Sequence, residues 1–308
     1  AHYLEIIDDK VLVISGEGET IYFEKQNINK NFLNQKYLNN NLQDVIKKRN
    51  NTLSGIRDLF YEEDFIYISV VEIGRKGGTL NVYRANKNFK FLNFEIFFES
   101  KEFYEKGYTL QSGGRIESFK NNEILLSVGF FNKHEFAQDE KSLLGKIISI
   151  NKENKNFTVQ SKGHRNPQGL YYWKEKNIII NSEHGPKGGD EVNLNYLNKN
   201  IEKNFGWPIS SYGEAYTNIQ KETFEKKGYL KKSHSDFGFI EPLKYFNPSI
   251  GISEILYNKG SIYVSSLRAE SIYVIKLSDK ETIVKESRLK FDNRIRDLKY
   301  DEESKSFF

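Results

Sequence analysis

One pattern recurs along this chain and narrows what it can fold into: a short apolar run, a polar loop, then a second run of alternating apolar residues. The first members are Lys10–Ser15, Phe65–Val71, Glu123–Val128, Asn177–Asn181 and Ser261–Ser265. Their partners are Thr20–Phe23, Thr79–Tyr83, Gly145–Ile150, Glu191–Leu194 and Ser271–Leu277. All are rich in Ile, Val, Tyr and Phe and are bounded by Asn, Gly, Lys and Asp, the marks of strands in antiparallel sheets. Successive first strands start about 55, 58, 54 and 84 positions apart, a spacing that suits four-stranded propeller blades. A β-sandwich also yields many short strands, but not this regular spacing. The long last interval holds Asn204–Lys232, rich in Gly, Tyr and Lys, which reads as an insertion. A sixth unit is expected to begin near Ile295–Tyr300 and to end in mid-blade at Phe308. The pattern therefore predicts an all-β fold with one domain over residues 1–308: a six-bladed β-propeller of four-stranded antiparallel blades, the last incomplete in this chain. Short helices or turns are expected only at Asn40–Lys48 and Glu99–Lys106.

Bulk composition removes several function classes. The 308 residues carry 46 basic and 42 acidic side chains, a net charge of +4. A nucleic-acid binder usually concentrates positive charge in a patch or stripe, so no nucleic-acid partner is expected. No apolar run approaches the roughly 20 residues of a membrane-spanning helix. There are no cysteines, which excludes disulfides, thiolate metal sites and thiol nucleophiles. Lysine outnumbers arginine 36 to 10. Arginine forms planar two-point contacts that lysine cannot, so the positions that keep it, notably Arg115, Arg165, Arg268, Arg294 and Arg296, merit inspection first.

Three segments concentrate chemistry. Gly163-His164-Arg165-Asn166-Pro167-Gln168-Gly169-Leu170 places a guanidinium, two carboxamides and an imidazole side by side, framed by glycines. It can offer several oriented donors to one planar anion, although a tight turn whose polar groups cap the backbone would look the same. Ser182-Glu183-His184-Gly185-Pro186-Lys187-Gly188-Gly189-Asp190-Glu191 exposes backbone carbonyls beside carboxylates, the hard oxygen donors that suit Ca²⁺. Taken alone, such a segment is more often a solvated loop. No thiolate or second histidine stands at zinc-ligand spacing from His184. Asn204-Phe205-Gly206-Trp207-Pro208 taken alone reads as a packed corner. The three together, in this order and within 46 residues, are far more specific than any one.

GHRNPQGL, SEHGPKGGDEVNL and NFGWP closely resemble the linked motifs of the pyrroloquinoline-quinone (PQQ) dependent soluble aldose (glucose/sorbosone) dehydrogenases. The resemblance extends to Ser112-Gly113-Gly114-Arg115-Ile116, Ala137-Gln138-Asp139, Gly145-Lys146 and Asn293-Arg294-Ile295-Arg296-Asp297, and so spans roughly residues 50 to 298. It implies a quinoprotein that oxidises the anomeric carbon of aldose sugars with PQQ and Ca²⁺ and passes electrons to an external acceptor. The alternative is a non-catalytic ligand- or protein-binding propeller descended from such an enzyme. By the same resemblance, Gly185 and Pro186 match the Gly-Pro pair whose carbonyls help bind Ca²⁺. Arg165 and Asn166 match the pair beside the cofactor's reactive carbonyl, and Arg294 and Arg296 match the arginines on its carboxylates. Arg268 stands where the family carries a lysine. A periplasmic or secreted location also follows from the resemblance.

Three positions depart from the family. The general-base histidine is replaced by Gln111, whose carboxamide cannot accept a hydroxyl proton at neutral pH. Loss of a general base commonly costs about 10²–10⁴ in rate. Leu53 stands where the family has a glutamine, and Phe130 where it has an acidic residue. His134 lies in a loop that could fold over the site as a substitute base, but a solvated loop histidine is the preferred reading there, while His164 and His184 match positions the family uses structurally. His2 and His234, near the terminus and in a Lys/Ser loop, carry no functional expectation.

Overall fold

Runs of β-branched residues with both faces apolar become inner strands, because only a strand covered on each side can bury them. In the computed structural model, which describes residues 1–28, 34–104, 110–120 and 122–308, this holds clearly at inner strands such as Lys10–Ser15, Phe65–Gly74 and Glu123–Val128. The first sheet comprises β1 (His2–Ile7), β2 (Lys10–Ser15), β3 (Thr20–Glu24) and β4 (Lys36–Tyr37). Helix α1 (Leu42–Lys48) follows, burying Leu42 and Ile46. The second sheet holds β5 (Thr52–Glu62), β6 (Phe65–Gly74), β7 (Gly77–Asn86) and β8 (Glu95–Glu99), and the third β9 (Gly113–Phe119), β10 (Glu123–Val128), β11 (Lys146–Asn151) and β12 (Phe157–Lys162). The fourth is built from β13 (Pro167–Trp173), β14 (Ile178–Glu183), β15 (Asp190–Tyr196) and β16 (Lys244–Phe246), with helix α2 (Asn218–Lys227) inside the long β15–β16 connection. The fifth contains β17 (Ile252–Asn258), β18 (Ser261–Ser266), β19 (Ser271–Leu277) and β20 (Ile283–Lys290). Among the described residues the pairings within these sheets are antiparallel, each strand joined to its sequence neighbour.

The propeller architecture is as expected, but the described residues form five four-stranded blades rather than six. Residues assigned to a sixth blade form only a two-stranded hairpin, β21 (Tyr300–Asp301) with β22 (Ser306–Phe307). The five recurring pairs are the second and third strands of five complete blades, so the repeat itself already counted them all. The stretch from Phe291 to Lys299 contains no strand, which leaves too little chain for another four. The short helix or turn expected at Glu99–Lys106 is also absent where described: Glu99 ends β8 and residues 100–104 form neither. Glu105 and Lys106 lie outside the described residues.

Contacts divide the chain into two compact units, Ala1–Ile116 with Asp297–Phe308, and Glu117–Arg296. The first unit has a core built from residues such as Ile7, Leu12, Ile56, Ile68 and Phe94. It also buries an ion triad: Arg115 donates from one guanidinium nitrogen to Asp58 at 2.9 Å and Asp297 at 2.9 Å. The Ile116 and Leu4 amides cap the other carboxylate oxygens at 2.7 and 2.8 Å. Burial pushes the Asp58 carboxyl up, against the pull of Arg115. The second unit packs β13 and β14 on β17, around a core that includes Ile180, Val192, Ile252 and Val264.

Candidate cofactor and metal site

The Gly163–Gly169 segment turns into β13 at the inner edge of its blade. Gly163 has φ +75°, and a Cβ there would stand 2.3 Å from the Asn204 side-chain oxygen and 2.7 Å from the Gly206 nitrogen. Only glycine fits, because the Asn204–Trp207 corner lies directly against it. The Trp207 amide donates to the Gly163 carbonyl at 2.9 Å. Gln138 and Asn204 bond reciprocally through their carboxamides at 2.8 and 3.1 Å. The first and third motifs are thus one packed structure.

Glu183, at the end of β14, ties the first motif to the second. Its buried carboxylate accepts from the Arg165 amide at 2.7 Å, Asn193 Nδ2 at 2.8 Å and His164 Nδ1 at 3.1 Å. His164 also meets the Ser161 hydroxyl at 2.8 Å and stacks on Phe205, so both ring nitrogens are occupied. It is fully buried, and its place is structural.

Arg165 is buried, and its guanidinium donates to the His184 carbonyl at 3.0 Å. It lies 5.3 Å from the Phe130 ring centre and 5.2 Å from that of Trp207. Phe130, where the family has an acid, thus supplies an apolar and cation–π wall in place of a counter-charge. Burial lowers the guanidinium's hold on its proton, partly offset by Tyr216 and Asp190. Its Nε is buried and has no hydrogen-bond partner among the described residues.

The second motif is drawn around Asp190. The carboxylate accepts from Gly185 N at 3.2 Å, Gly251 N at 2.8 Å and Ile252 N at 3.1 Å. Burial opposes the charge, but His184, the Ile252 amide and Ser249 hold the Asp190 carboxyl below its ordinary range. A Cβ on Gly185 would fall 2.0 Å from the Gly189 carbonyl oxygen, so the loop closes only around glycine. Asp190 and Glu191 are both buried, so this segment is not a solvated loop.

The remaining expected residues separate into two groups. Arg296 donates to Gln168 Oε1 at 2.9 Å, and Gln168 Nε2 donates to Asn166 Oδ1 at 3.1 Å. Asn166, Gln168 and Arg296 therefore form one chain of polar contacts, and the Asn166 carbonyl accepts from the His184 amide. Arg268 and Arg294 are exposed, and their side chains make no hydrogen bond or ion pair among the described residues. The Arg268 amide nevertheless bonds the Ile250 carbonyl, next to the Gly251 amide that caps Asp190. Pro186 accepts a long bond from the Ser249 hydroxyl at 3.4 Å. In the first unit, Gln111 is half-buried with φ +62°, and Leu53 packs against that unit's core.

The sequence reading missed three participants. Gln168 bridges Asn166 and Arg296, and Glu183 holds Arg165. His234 is buried, bonding the Phe205 carbonyl through Nδ1 at 3.0 Å and facing Glu191 at 3.4 Å through Nε2. Burial pushes the Glu191 carboxyl up, and Glu191 raises His234 against the same burial. His134 does not lie over the site as an open loop residue. It starts a short 3₁₀ turn, packed among Phe130, Trp207, Phe224 and Tyr229. Burial and Arg165 pull it down to about 4. Just beyond that turn, Lys146 is buried and its ammonium donates to three backbone carbonyls, those of Phe136, Ala137 and Leu144, at 2.9, 3.0 and 2.9 Å.

Residues 4–308 match the Glucose / Sorbosone dehydrogenase family. The chain belongs to that family. An uncharacterized Synechocystis protein is 27% identical over 272 residues, 78% of this chain and 63% of that protein, so the match spans less than two thirds of the relative's length. The aldose sugar dehydrogenase YliI of Escherichia coli is 25% identical over 277 residues, 80% of this chain and 71% of that protein. The solved PQQ-bound form of an aldose sugar dehydrogenase from Streptomyces coelicolor is similar in fold, with a TM-score of 0.67 at 19% identity over 94% of this chain and 81% of that one. Among the described residues, no helix of this family member is long and apolar enough to cross a membrane.

Proposed function

We propose that this glucose/sorbosone dehydrogenase family member is a quinoprotein that oxidises the anomeric carbon of aldose sugars with PQQ and Ca²⁺. The observation that carries the reading is the Arg165 seat: its backbone amide is held by Glu183, its buried guanidinium donates to the His184 carbonyl, and its Nε has no hydrogen-bond partner among the described residues. The residues present fit the cofactor. Arg165, Arg268, Arg294 and Arg296 supply positive charge for a planar polycarboxylate, and arginine is the side chain best shaped for that contact. Gly185 and Pro186 would offer hard carbonyl oxygens to Ca²⁺, on a loop braced by Asp190. PQQ, when bound, supplies the hydride acceptor. The chain's own part is to orient the quinone through Asn166, Gln168 and Arg296 and to hold positive charge where negative charge develops. An external acceptor would then take the electrons, and a periplasmic or secreted setting suits that chemistry.

Reconstitution with PQQ and Ca²⁺, followed by dye reduction across a panel of aldoses, tests the proposal. Absence of turnover with every sugar would overturn it. Cofactor binding is followed separately as a PQQ absorbance change, expected to be lost in Arg165→Ala.

Gln111 favours a second reading, a ligand-binding propeller that seats the cofactor or another ligand without turnover. Substitution Gln111→His separates the two. Histidine tolerates the left-handed backbone found there better than most residues. If the missing base alone limits a working enzyme, the variant gains about tenfold or more in dye reduction. A variant that binds PQQ and still reduces no dye supports the second reading.

A further inference from the structure

The first unit contains a recess of about 320 Å³ that takes no part in the proposed chemistry. It lies where the C-terminus of α1, the β6–β7 hairpin and the end of β8 meet. Its volume is at the low end of the range typical of small-molecule sites. Its charge is one-sided. Arg49, Arg75, Lys76 and Lys101 line it, with Glu99 as the one acidic lining residue. Glu99 is already engaged by Arg49. This clustering stands out in a chain whose 46 basic and 42 acidic residues nearly cancel. Two of only ten arginines point to planar anion recognition here, since lysine serves wherever a bare charge suffices.

The wall behind these cations is rigid and polar. Glu72, fully buried, accepts from Asn51 at 2.7 Å, Asn81 at 2.9 Å and the Tyr83 hydroxyl at 2.5 Å. Its carboxyl oxygens are thereby occupied by three donors, and it sits 3.8 Å from Arg49 Nε. That Nε is buried and makes no hydrogen bond among the described residues. Asn51 is seated against Gly74, where a Cβ would meet its side-chain oxygen at 2.0 Å. Thr79, also lining the recess, shares a hydroxyl contact with Ser100 at 3.0 Å. Phe103 closes one side as an apolar wall, with the Lys76 ammonium 5.3 Å from its ring centre.

We propose that this recess binds a small hydroxylated oxyanion, of the size and charge of a sugar acid or a sugar phosphate. Arg75, Lys76 and Lys101 take the anionic group beside the Arg49 Nε, Asn50 and Thr79 meet hydroxyls, and Phe103 covers a carbon face. The assignment is independent of PQQ chemistry, because none of these residues belongs to the cofactor motifs.

Calorimetric titration of the full chain at low ionic strength tests it, with gluconate, glucose 6-phosphate, inorganic phosphate and glucose as probes. Gluconate or glucose 6-phosphate is expected to bind with Kd of about 1 mM or tighter. Gluconate binding identifies a carboxylate ligand and glucose 6-phosphate binding a phosphate ester. The double variant Arg75→Ala/Lys101→Ala changes only exposed side chains and is expected to melt like the parent. It should weaken binding about tenfold or more, as should about 0.5 M salt. Three results would overturn the assignment: no oxyanion binding tighter than about 10 mM, unchanged affinity in the double variant, or inorganic phosphate binding as well as both hydroxylated probes.

Discussion

Removing the Glu183 carboxylate should unseat Arg165 and destabilise the second unit more than any other single change near the site. The carboxylate takes three buried donors, the Arg165 amide, Asn193 Nδ2 and His164 Nδ1. Each donor left unpaired costs about 1–3 kcal/mol, so Glu183→Ala loses roughly 3–9 kcal/mol in a rigid site. Local relaxation and entering water bring that toward the low end, and we expect about 4 kcal/mol, near the upper limit for point substitutions. Glu183→Gln keeps one oxygen for His164 and Asn193 but turns an amide N–H toward the Arg165 N–H. It should cost about 1–3 kcal/mol. The assay is urea unfolding followed by tryptophan fluorescence, which reports this unit alone because Trp173 and Trp207, the only two tryptophans, both lie within it. A Glu183→Ala unfolding free energy within about 1 kcal/mol of the parent's, or a glutamine variant as unstable as the alanine one, would refute the reasoning.

Other outcomes follow from the same geometry. Arg115→Met strands two buried carboxylates and should cost about 3–5 kcal/mol. The loss should be larger at pH 8 than at pH 5, because burial raises Asp58, and a raised carboxyl contributes stability that disappears as pH climbs through its folded pKa; thermal melts at the two pH values check this. Gly185→Ala cannot fit its Cβ 2.0 Å from the Gly189 oxygen. Saturating Ca²⁺ should stabilise the parent by about 2.7 kcal/mol at a hundredfold excess over Kd, EDTA should reverse this, and the variant should show neither effect. His134, depressed to about 4 by burial and by Arg165, is held neutral. It should contribute stability above its unfolded value of about 6.5 that fades as pH falls toward 4. His134→Phe, which keeps the ring packing, should flatten that acid limb in melting scans.

The inner strands were legible because their cause is local. Runs such as Lys10–Ser15 and Glu123–Val128 are apolar on both faces and end at turn residues, so their bounds could be read directly. The blade count was not legible. Outer strands such as β4 and β12 are short or exposed and carry little pattern, so a remnant at Tyr300–Phe307 looked like the start of another blade. At the site, glycines and arginines in fixed order were visible as chemistry. Glu183 and Gln168 were not, because a single carboxylate or carboxamide has no signature until its partners, distant in sequence, arrive. His234 shows the same limit: its lysine and serine neighbours suggest a wet loop, while Phe205 and Glu191 enclose it.

Lys146 has a consequence for how this protein responds to its medium. Three carbonyls converging on one positive charge would ordinarily describe an ion-bound turn, whose order rises and falls with the ion's concentration. Here the charge is carried on the chain's own tether, so the turn from Phe136 to Lys146 has no dissociation constant. A chelator able to empty the proposed calcium loop at Gly185 would leave this turn in place, because no metal holds it. The Ala137 and Gly145 carbonyls of the turn accept from the Gly163 and His164 amides, so the first motif would keep its backing whether or not that loop is loaded.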